Sequence, residues 1–444
     1  MTYTNKLNLG DPIRSLILKK LELKPITTDS YQIFISSIKT ILEYGGATEL
    51  RSLENWDFIV LSNFKKLSSD ELEVLSSDIS KTYLPSIEDC QIRIQKIISP
   101  EVRKQFAAYY TIDKGTDFMA QIAEKYLEEK CPNRRKIILA DPFLGSGRTL
   151  TTAIKKIGIN KLDKVWGIEP LALPALVAYA ALLKAVNGRK NLITVIVGDA
   201  FEEIPKAALF AHIPRADIIL TNPPFTRWKN LEEAYRNRLL TTINELRYGS
   251  YITRGDISLQ TLSMFLVDYI LNDGGLVVSV LPSSTFYTLY GRGYKSLLKE
   301  KYEALALVEN SSDAAFSEDS GFKEVILAGI KGASSNKRLT LFIEIDSITD
   351  KVIEAIIKGN YEHTTITGRF NLFNLKSLPS FLDLNWLALF GESKLRKILI
   401  DVLKQGLGNS TLIDWISALG KNSIIRGIEM YGPDFFFIPN KYWN

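Results

Sequence analysis

Lys136-Ile137-Ile138-Leu139-Ala140-Asp141-Pro142-Phe143-Leu144-Gly145-Ser146-Gly147-Arg148-Thr149 is an apolar run that ends on an acid and then turns through two glycines. A short apolar run bounded by turn formers reads as a strand buried on both faces. The small residues at 145–147 let the backbone turn tightly and approach a ligand closely. The same texture repeats downstream. KVWGIE (164–169), ITVIVGD (193–199), ADIILTN (216–222) and GLVVSVLP (275–282) read as buried parallel strands, and ALALVEN (304–310) and KEVILAGI (323–330) follow. Helical patterns separate them, LALPALVAYAALLKAV (171–186) among them. Alternating strand and helix predicts a doubly wound α/β sheet. In such sheets ligands bind beyond the carboxyl ends of the strands, near the switch in strand order.

Outside this block the texture changes. Residues 1–95 read as an N-terminal helical region: ILEYG (41–45), LEVLSSDI (72–79) and IEDCQIRIQKII (87–98) carry apolar residues three and four apart, and Asp70 and Ser86 are suited to start helices. Glu22-Leu23-Lys24 matches the E-x-K fragment of nuclease sites, but three residues are a cheap match and the segment is short for a nuclease domain. Residues 96–335 form the expected catalytic α/β domain. Residues 336–444 form a C-terminal extension, with a strand candidate at RLTLFIEI (338–345) and a helical pattern at SKLRKILIDVLKQGL (393–407). The aromatic tail MYGPDFFFIPNKYWN (430–444) reads as the opening of, or a linker to, a further domain.

Composition narrows the functional classes. The 444 residues are 46% apolar and 24% charged, which is ordinary globular composition, and the formal net charge is +5. That mild excess permits a nucleic-acid partner without demanding one. Cys90, Cys131, His212 and His363 are too few and too scattered for a disulfide framework or a zinc set, and neither histidine stands in a recognisable hydrolase triad. No metal is expected. There is no basic segment followed by an apolar stretch at the N-terminus, and no apolar run of ~18 residues, so a cytoplasmic protein away from membranes is expected.

The strand ends carry the chemistry. At the first, a P-loop is ruled out, because Pro142 stands where its first glycine belongs and Arg148 replaces its lysine. A dinucleotide fingerprint is matched only in part, with Leu150 in place of the third glycine. An S-adenosylmethionine loop is the third candidate, in which Asp141 accepts a charge-assisted hydrogen bond from an ammonium group. At the second, Glu169 can accept both hydroxyls of a ribose, a device shared by nicotinamide and S-adenosylmethionine sites; it is equally compatible with a solvated strand end. At the third, Gly198-Asp199 reads alone as a turn, yet Asp199 could accept from an adenine amino group and Phe201 could cover the ring. The fourth end, Asn222-Pro223-Pro224-Phe225, separates the alternatives. Two prolines stiffen the backbone and remove its donors. The Asn222 side chain and the Pro223 carbonyl can then present acceptors to the two N–H groups of a planar exocyclic amine, while Phe225 offers a face to its ring.

With these residues the chain resembles the amino-group DNA methyltransferases, in particular the gamma class of adenine-N6 enzymes. That class is marked by a cofactor motif before the Gly-rich strand and NPP(Y/F) after it. Phe106-Ala107-Ala108-Tyr109-Tyr110-Thr111 is similar to its first motif, departing at Ala108 and Ile112. The resemblance covers about 100–335 and implies a seven-stranded Rossmann-like sheet whose last strand is antiparallel. It implies S-adenosylmethionine as cofactor, touched by Tyr110 and Thr111. Asp141, Pro142, Gly145 and Gly147 would hold its methionine end, Glu169 its ribose, Asp199 and Phe201 its adenine, and Asn222 its reacting end. Asn222, Pro223, Pro224 and Phe225 would serve catalysis. Asp256 would open the helix that closes the pocket, Pro282 would end the fifth strand as in the family's sixth motif, and Phe322, or else Phe316, would be a second aromatic on the flipped base.

The resemblance further implies DNA as partner in a restriction-modification or related defence system. Residues 226–254 support a nucleic-acid face, with Arg227, Lys229, Arg236, Arg238, Arg247 and Arg254 interleaved with Trp228 and Tyr248, although an ordinary solvated helix fits as well. Arg227, Trp228, Lys229 and Phe225 are the expected DNA contacts. Only about 110 residues follow position 335, so sequence recognition is expected either from a domain begun at the tail or from a separate specificity subunit, with a restriction subunit as a further partner. N4-cytosine methylation and methylation of a protein glutamine or RNA are the alternatives to adenine.

Overall fold

The structure is a computed structural model that describes residues 11–390 apart from 82, 99–112, 134–135, 211–212, 227, 253–256, 311–315, 317–322, 333–338, 346, 359–367, 379–382 and 384. Local chemistry explains the first helices. Helix Thr28–Gly45 begins in a capping box between Thr27 and Ser30 and stops at Gly46, which adopts φ 70°. Helix Ile87–Ile97 begins at Ser86 with a reciprocal box to Asp89, as its sequence predicts. Helix Ser69–Lys81 differs from expectation. Ser68, not Asp70, does the capping: its hydroxyl accepts from the Glu71 amide at 3.3 Å, and Glu71 reaches back to the Ser68 amide at 2.6 Å. Asp70 sits in the first turn, where its charge still suits the helix dipole.

Among the described residues nine strands form one sheet, in the order β3-β2-β1-β4-β5-β7-β6-β8-β9. They are β1 (Ile137–Asp141), β2 (Leu162–Glu169), β3 (Ile193–Val197), β4 (Ala216–Thr221), β5 (Leu271–Pro282), β6 (Tyr302–Asn310), β7 (Glu324–Lys331), β8 (Thr340–Ile345) and β9 (Gly368–Phe373). β1 pairs in parallel with both β2 and β4, so the strand order reverses there. β7 runs antiparallel between β5 and β6. The first seven strands thus follow the doubly wound pattern expected from sequence. The sheet is larger than the expected seven strands. β8 adds in parallel to β6, and β9 adds antiparallel to β8. β9, GRFNLF, is short and only half apolar, and so gives a weak strand signal.

Helices cover both faces. Helix Ala172–Ala185 is apolar on every side because it is enclosed on every side, with the sheet below and helices Thr28–Gly45 and Ile87–Ile97 above. Phe58 stacks on Tyr179 with ring centroids 4.8 Å apart, and Lys184 pairs with Glu88 at 2.9 Å. The N-terminal helices therefore share one apolar cluster with that face of the sheet. The opposite face is packed by helices Ala200–Phe210, Glu233–Glu245, Leu259–Ile270 and Arg292–Lys301. The Glu22-Leu23-Lys24 match is structural: Leu23 lies in the core, and Glu22 pairs with Lys66 at 2.9 Å.

Candidate cofactor and base-amine site

The carboxyl ends of β1, β2, β3 and β4 lie side by side, so the topology brings four separate sequence motifs together. Asp141 closes β1 and is 2% exposed. Its Oδ1 accepts from the Phe143 amide at 3.0 Å and from the Thr221 hydroxyl at 2.7 Å. Thr221 is the last residue of β4 and precedes Asn222. One buried hydrogen bond therefore ties the Gly-rich turn to the Asn-Pro-Pro-Phe turn.

Glu169 closes β2 and is equally enclosed. Its Oε2 accepts from the Gly145 amide at 3.0 Å, and its Oε1 accepts from the Leu171 amide at 2.9 Å. Each carboxylate oxygen offers a second acceptor direction beyond these bonds. Burial pushes Asp141 and Glu169 up to about 7 each, and the charge of Asp141 adds to the rise at Glu169. Among the described residues neither carboxylate forms an ion pair with a lysine or arginine. Two buried acids that pair with no cation among the described residues suit a ligand that brings positive charge of its own.

The glycines make the approach feasible. Gly145 and Gly147 adopt φ 55° and 76°, conformations open to glycine at little cost. A Cβ on Gly147 would lie 3.0 Å from the Ala178 Cβ, so the turn sits directly on the enclosed helix Ala172–Ala185. Gly147 also precedes helix Arg148–Ile157, whose N-terminus faces the same end of the sheet.

At β3, Asp199 Oδ1 accepts from the Phe201 amide at 2.9 Å, and Tyr235 lines the same cavity, its hydroxyl turned to that carboxylate. Burial raises the pKa of Asp199. Phe201 is buried in the core cluster beneath it. At β4, Asn222 is half-buried, Pro223 is buried, Pro224 is half-buried and Phe225 is buried. Pro142 is buried behind Asp141.

No protein-family model and no curated protein matches the sequence. Solved structures match in fold. The type IIG restriction endonuclease BpuSI superposes with a TM-score of 0.59 at 15% identity, over 93% of this chain and 48% of its own. The methyltransferase subunit of a type I restriction-modification system from Streptococcus thermophilus gives a TM-score of 0.51 at 13% identity, over 81% and 80%. A Listeria monocytogenes protein assigned to the class I S-adenosylmethionine-dependent methyltransferases gives 0.50 at 14%, over 79% and 96%. The fold is the Rossmann-like fold of the class I methyltransferases. The chain spans about half the length of BpuSI.

Within this methyltransferase fold the sequence-predicted residues divide into three groups. Asp141, Pro142, Gly145, Gly147, Glu169, Asp199, Asn222, Pro223, Pro224 and Phe225 all stand at the ends of the four adjacent strands or in the turns that follow them, and Phe201 lies in the first turn of the helix after β3. Trp228 is half-buried at the edge of the core, and Lys229 is exposed. Tyr110, Thr111, Arg227, Asp256 and Phe322 lie outside the described residues. Phe316, the alternative to Phe322, is buried, and its amide donates to Glu324 at 2.7 Å.

The 226–254 segment departs from the interleaved surface expected of it. Tyr248 turns inward, stacking on Phe265 at 5.3 Å and donating to buried Asp268 at 2.5 Å. Arg238 pairs with Glu202. The cause is the amphipathic helix Glu233–Glu245, whose Leu239 and Ile243 bind the segment to the core and carry Tyr248 with them. Lys229 and Arg247 remain exposed.

Sequence reasoning missed three residues that organise the site. They are Thr221, Tyr235 and Gln91. The Gln91 side-chain amide donates to the Ser146 carbonyl at 2.8 Å, and the Ser146 hydroxyl donates back to the Gln91 carbonyl at 3.0 Å. The N-terminal helices thus hold the Gly-rich turn directly. Gln91 and Gln95 stand one turn apart at buried positions of an amphipathic helix, and polar residues on an apolar face were the available signal.

Proposed function

We propose that the chain is an S-adenosylmethionine-dependent DNA methyltransferase acting on the exocyclic N6 amine of adenine, within a restriction-modification or related defence system. One observation carries the reading: the Asp141–Thr221 hydrogen bond, which sets Asn222-Pro223-Pro224-Phe225 beside two buried carboxylates that pair with no lysine or arginine among the described residues. The donor set fits the cofactor. Asp141 and Gly145–Gly147 suit an amino-acid end that carries an ammonium group. Glu169 retains acceptor capacity for a ribose, and Asp199 can accept from a purine amine. When bound, the cofactor supplies an electrophilic methyl group.

The chain's own residues do the rest. Asn222 and the Pro223 carbonyl accept the two amine hydrogens and hold the nitrogen in line for attack. Phe225 stacks on the base, offsetting part of the few kcal/mol that flipping costs. No covalent nucleophile is required, and burial pushes the Cys90 thiol up to about 12, so it stays a thiol at neutral pH. Exposed Lys229, four positions past Phe225, supplies a phosphate contact beside the base site.

The test is expression in a host that lacks DNA methylation, with nucleoside mass spectrometry of its genomic DNA. N6-methyladenine is expected with the wild-type chain and is absent with Asn222→Ala. N4-methylcytosine would keep the mechanism and replace the base. Unmodified DNA beside newly methylated RNA or protein glutamine would overturn the DNA reading.

A further inference from the structure

Tyr235 has no place in the chemistry described so far, yet it lies against one of that chemistry's acceptors. It stands in the first turn of helix Glu233–Glu245, shortly after the Asn-Pro-Pro-Phe turn, and lines one cavity with Asp199, its hydroxyl turned to that carboxylate. The helix is anchored against helix Ala200–Phe210 twice, by Arg238 on Glu202 and by the Thr242 hydroxyl on the Phe201 carbonyl at 3.3 Å. Between the two helices lies a cavity of about 420 Å³, lined by Asp199, Phe201, Tyr235 and Arg238 among others. The groups that act on the Asp199 carboxylate are Tyr235 and Arg238 from one helix and Glu202 and Lys206 from the other, with the Phe201 amide below.

We propose that Tyr235 is a positioning residue for the adenine end of the cofactor, fixing the Asp199 carboxylate as the acceptor for the purine's exocyclic amine. The inference rests on the cofactor site proposed above and adds a wall to it. Without the phenol, the Phe201 amide is the one hydrogen bond left to the Asp199 carboxylate among the described residues, and the carboxylate can rotate away from the ligand. Burial and Glu202 raise its pKa, while Tyr235, Arg238 and the Phe201 amide lower it. Removing the phenol therefore lets the carboxyl protonate at a higher pH. A neutral carboxyl is the weaker acceptor, since charge-assisted hydrogen bonds are roughly twice as strong as neutral ones. The helix that follows the base-binding turn is thereby coupled to cofactor occupancy.

Calorimetric titration with S-adenosylhomocysteine and with S-inosylhomocysteine, which has an oxygen in place of the amine, tests this between pH 5.5 and 8. Tyr235→Phe is expected to weaken S-adenosylhomocysteine about threefold at pH 8 and by more as the pH falls toward 5.5. It should not weaken S-inosylhomocysteine at either pH, because a protonated carboxyl can donate to the oxygen that replaces the amine. Equal losses for the two probes, or a loss that does not vary with pH, would reduce Tyr235 to a packing residue and overturn the proposal. So would unaltered binding of both probes. A wild-type chain that binds neither probe would remove the cofactor site itself, and the role of Tyr235 with it.

Discussion

Replacing Asp141 with asparagine should make the free protein more stable while damaging its site, and the size of the effect follows from burial. Asp141 is almost fully enclosed, and its pKa is pushed from 3.8 up to about 7. A raised carboxyl pKa means that the folded state binds the proton more tightly than the unfolded chain. The associated stability is fully present below pH 3.8 and is lost as the pH rises through 7. Each pH unit between the two values is worth about 1.4 kcal/mol, so the charged form costs the fold about 4 kcal/mol above pH 7. Asparagine keeps the oxygen that accepts from Thr221 and Phe143 but carries no charge. Urea unfolding of both proteins at pH 5 and pH 8 isolates the effect, because other groups titrate in both. The stability gap in favour of Asp141→Asn should widen by about 2–3 kcal/mol from pH 5 to pH 8. Cofactor affinity should fall about 10- to 100-fold, the worth of a charge-assisted hydrogen bond. A gap that does not change with pH, or an asparagine variant less stable at pH 8, would refute the reasoning.

Two further outcomes are expected. Gln91→Leu removes the donor that holds the Ser146 carbonyl and leaves a buried acceptor short of a partner, at about 1–3 kcal/mol; melting should shift down and S-adenosylmethionine titration should show a weaker Kd, although Gln91 lies in the N-terminal helices. Phe225→Ala removes the stacking face, so single-turnover methyl transfer to DNA should slow about 10- to 100-fold, from stacking worth about 1–3 kcal/mol, with cofactor Kd unchanged.

The acids at the strand ends were legible in the sequence because periodicity and termination are local signals. A buried parallel strand is an apolar run, and the residue that ends it is named by the run itself, as at Asp141, Glu169 and Thr221-Asn222. The contacts that join those ends are not local. Asp141 and Thr221 are 80 positions apart, and Gln91 is 55 from Ser146. Nothing in either neighbourhood announces its partner. Tyr248 was misread for a related reason. Its basic neighbours suggest a wetted surface, but the turn after Ile243 carries the ring onto Phe265 and Asp268, a partner set assembled by folding. Asp70 shows the same limit at shorter range. Asp70 and Ser68 are both good caps, and the reciprocal bond to Glu71 chooses between them. β9 carried too few apolar residues to be seen before β8 was in place to pair with it.

The most direct test of the account is transfer of label from tritiated S-adenosylmethionine by the purified chain into mixed genomic DNA, followed by separation of the nucleosides. The account predicts label in N6-methyladenine that disappears with Asn222→Ala while cofactor binding persists. Label confined to protein or RNA, or label in DNA that survives Asn222→Ala, would contradict it.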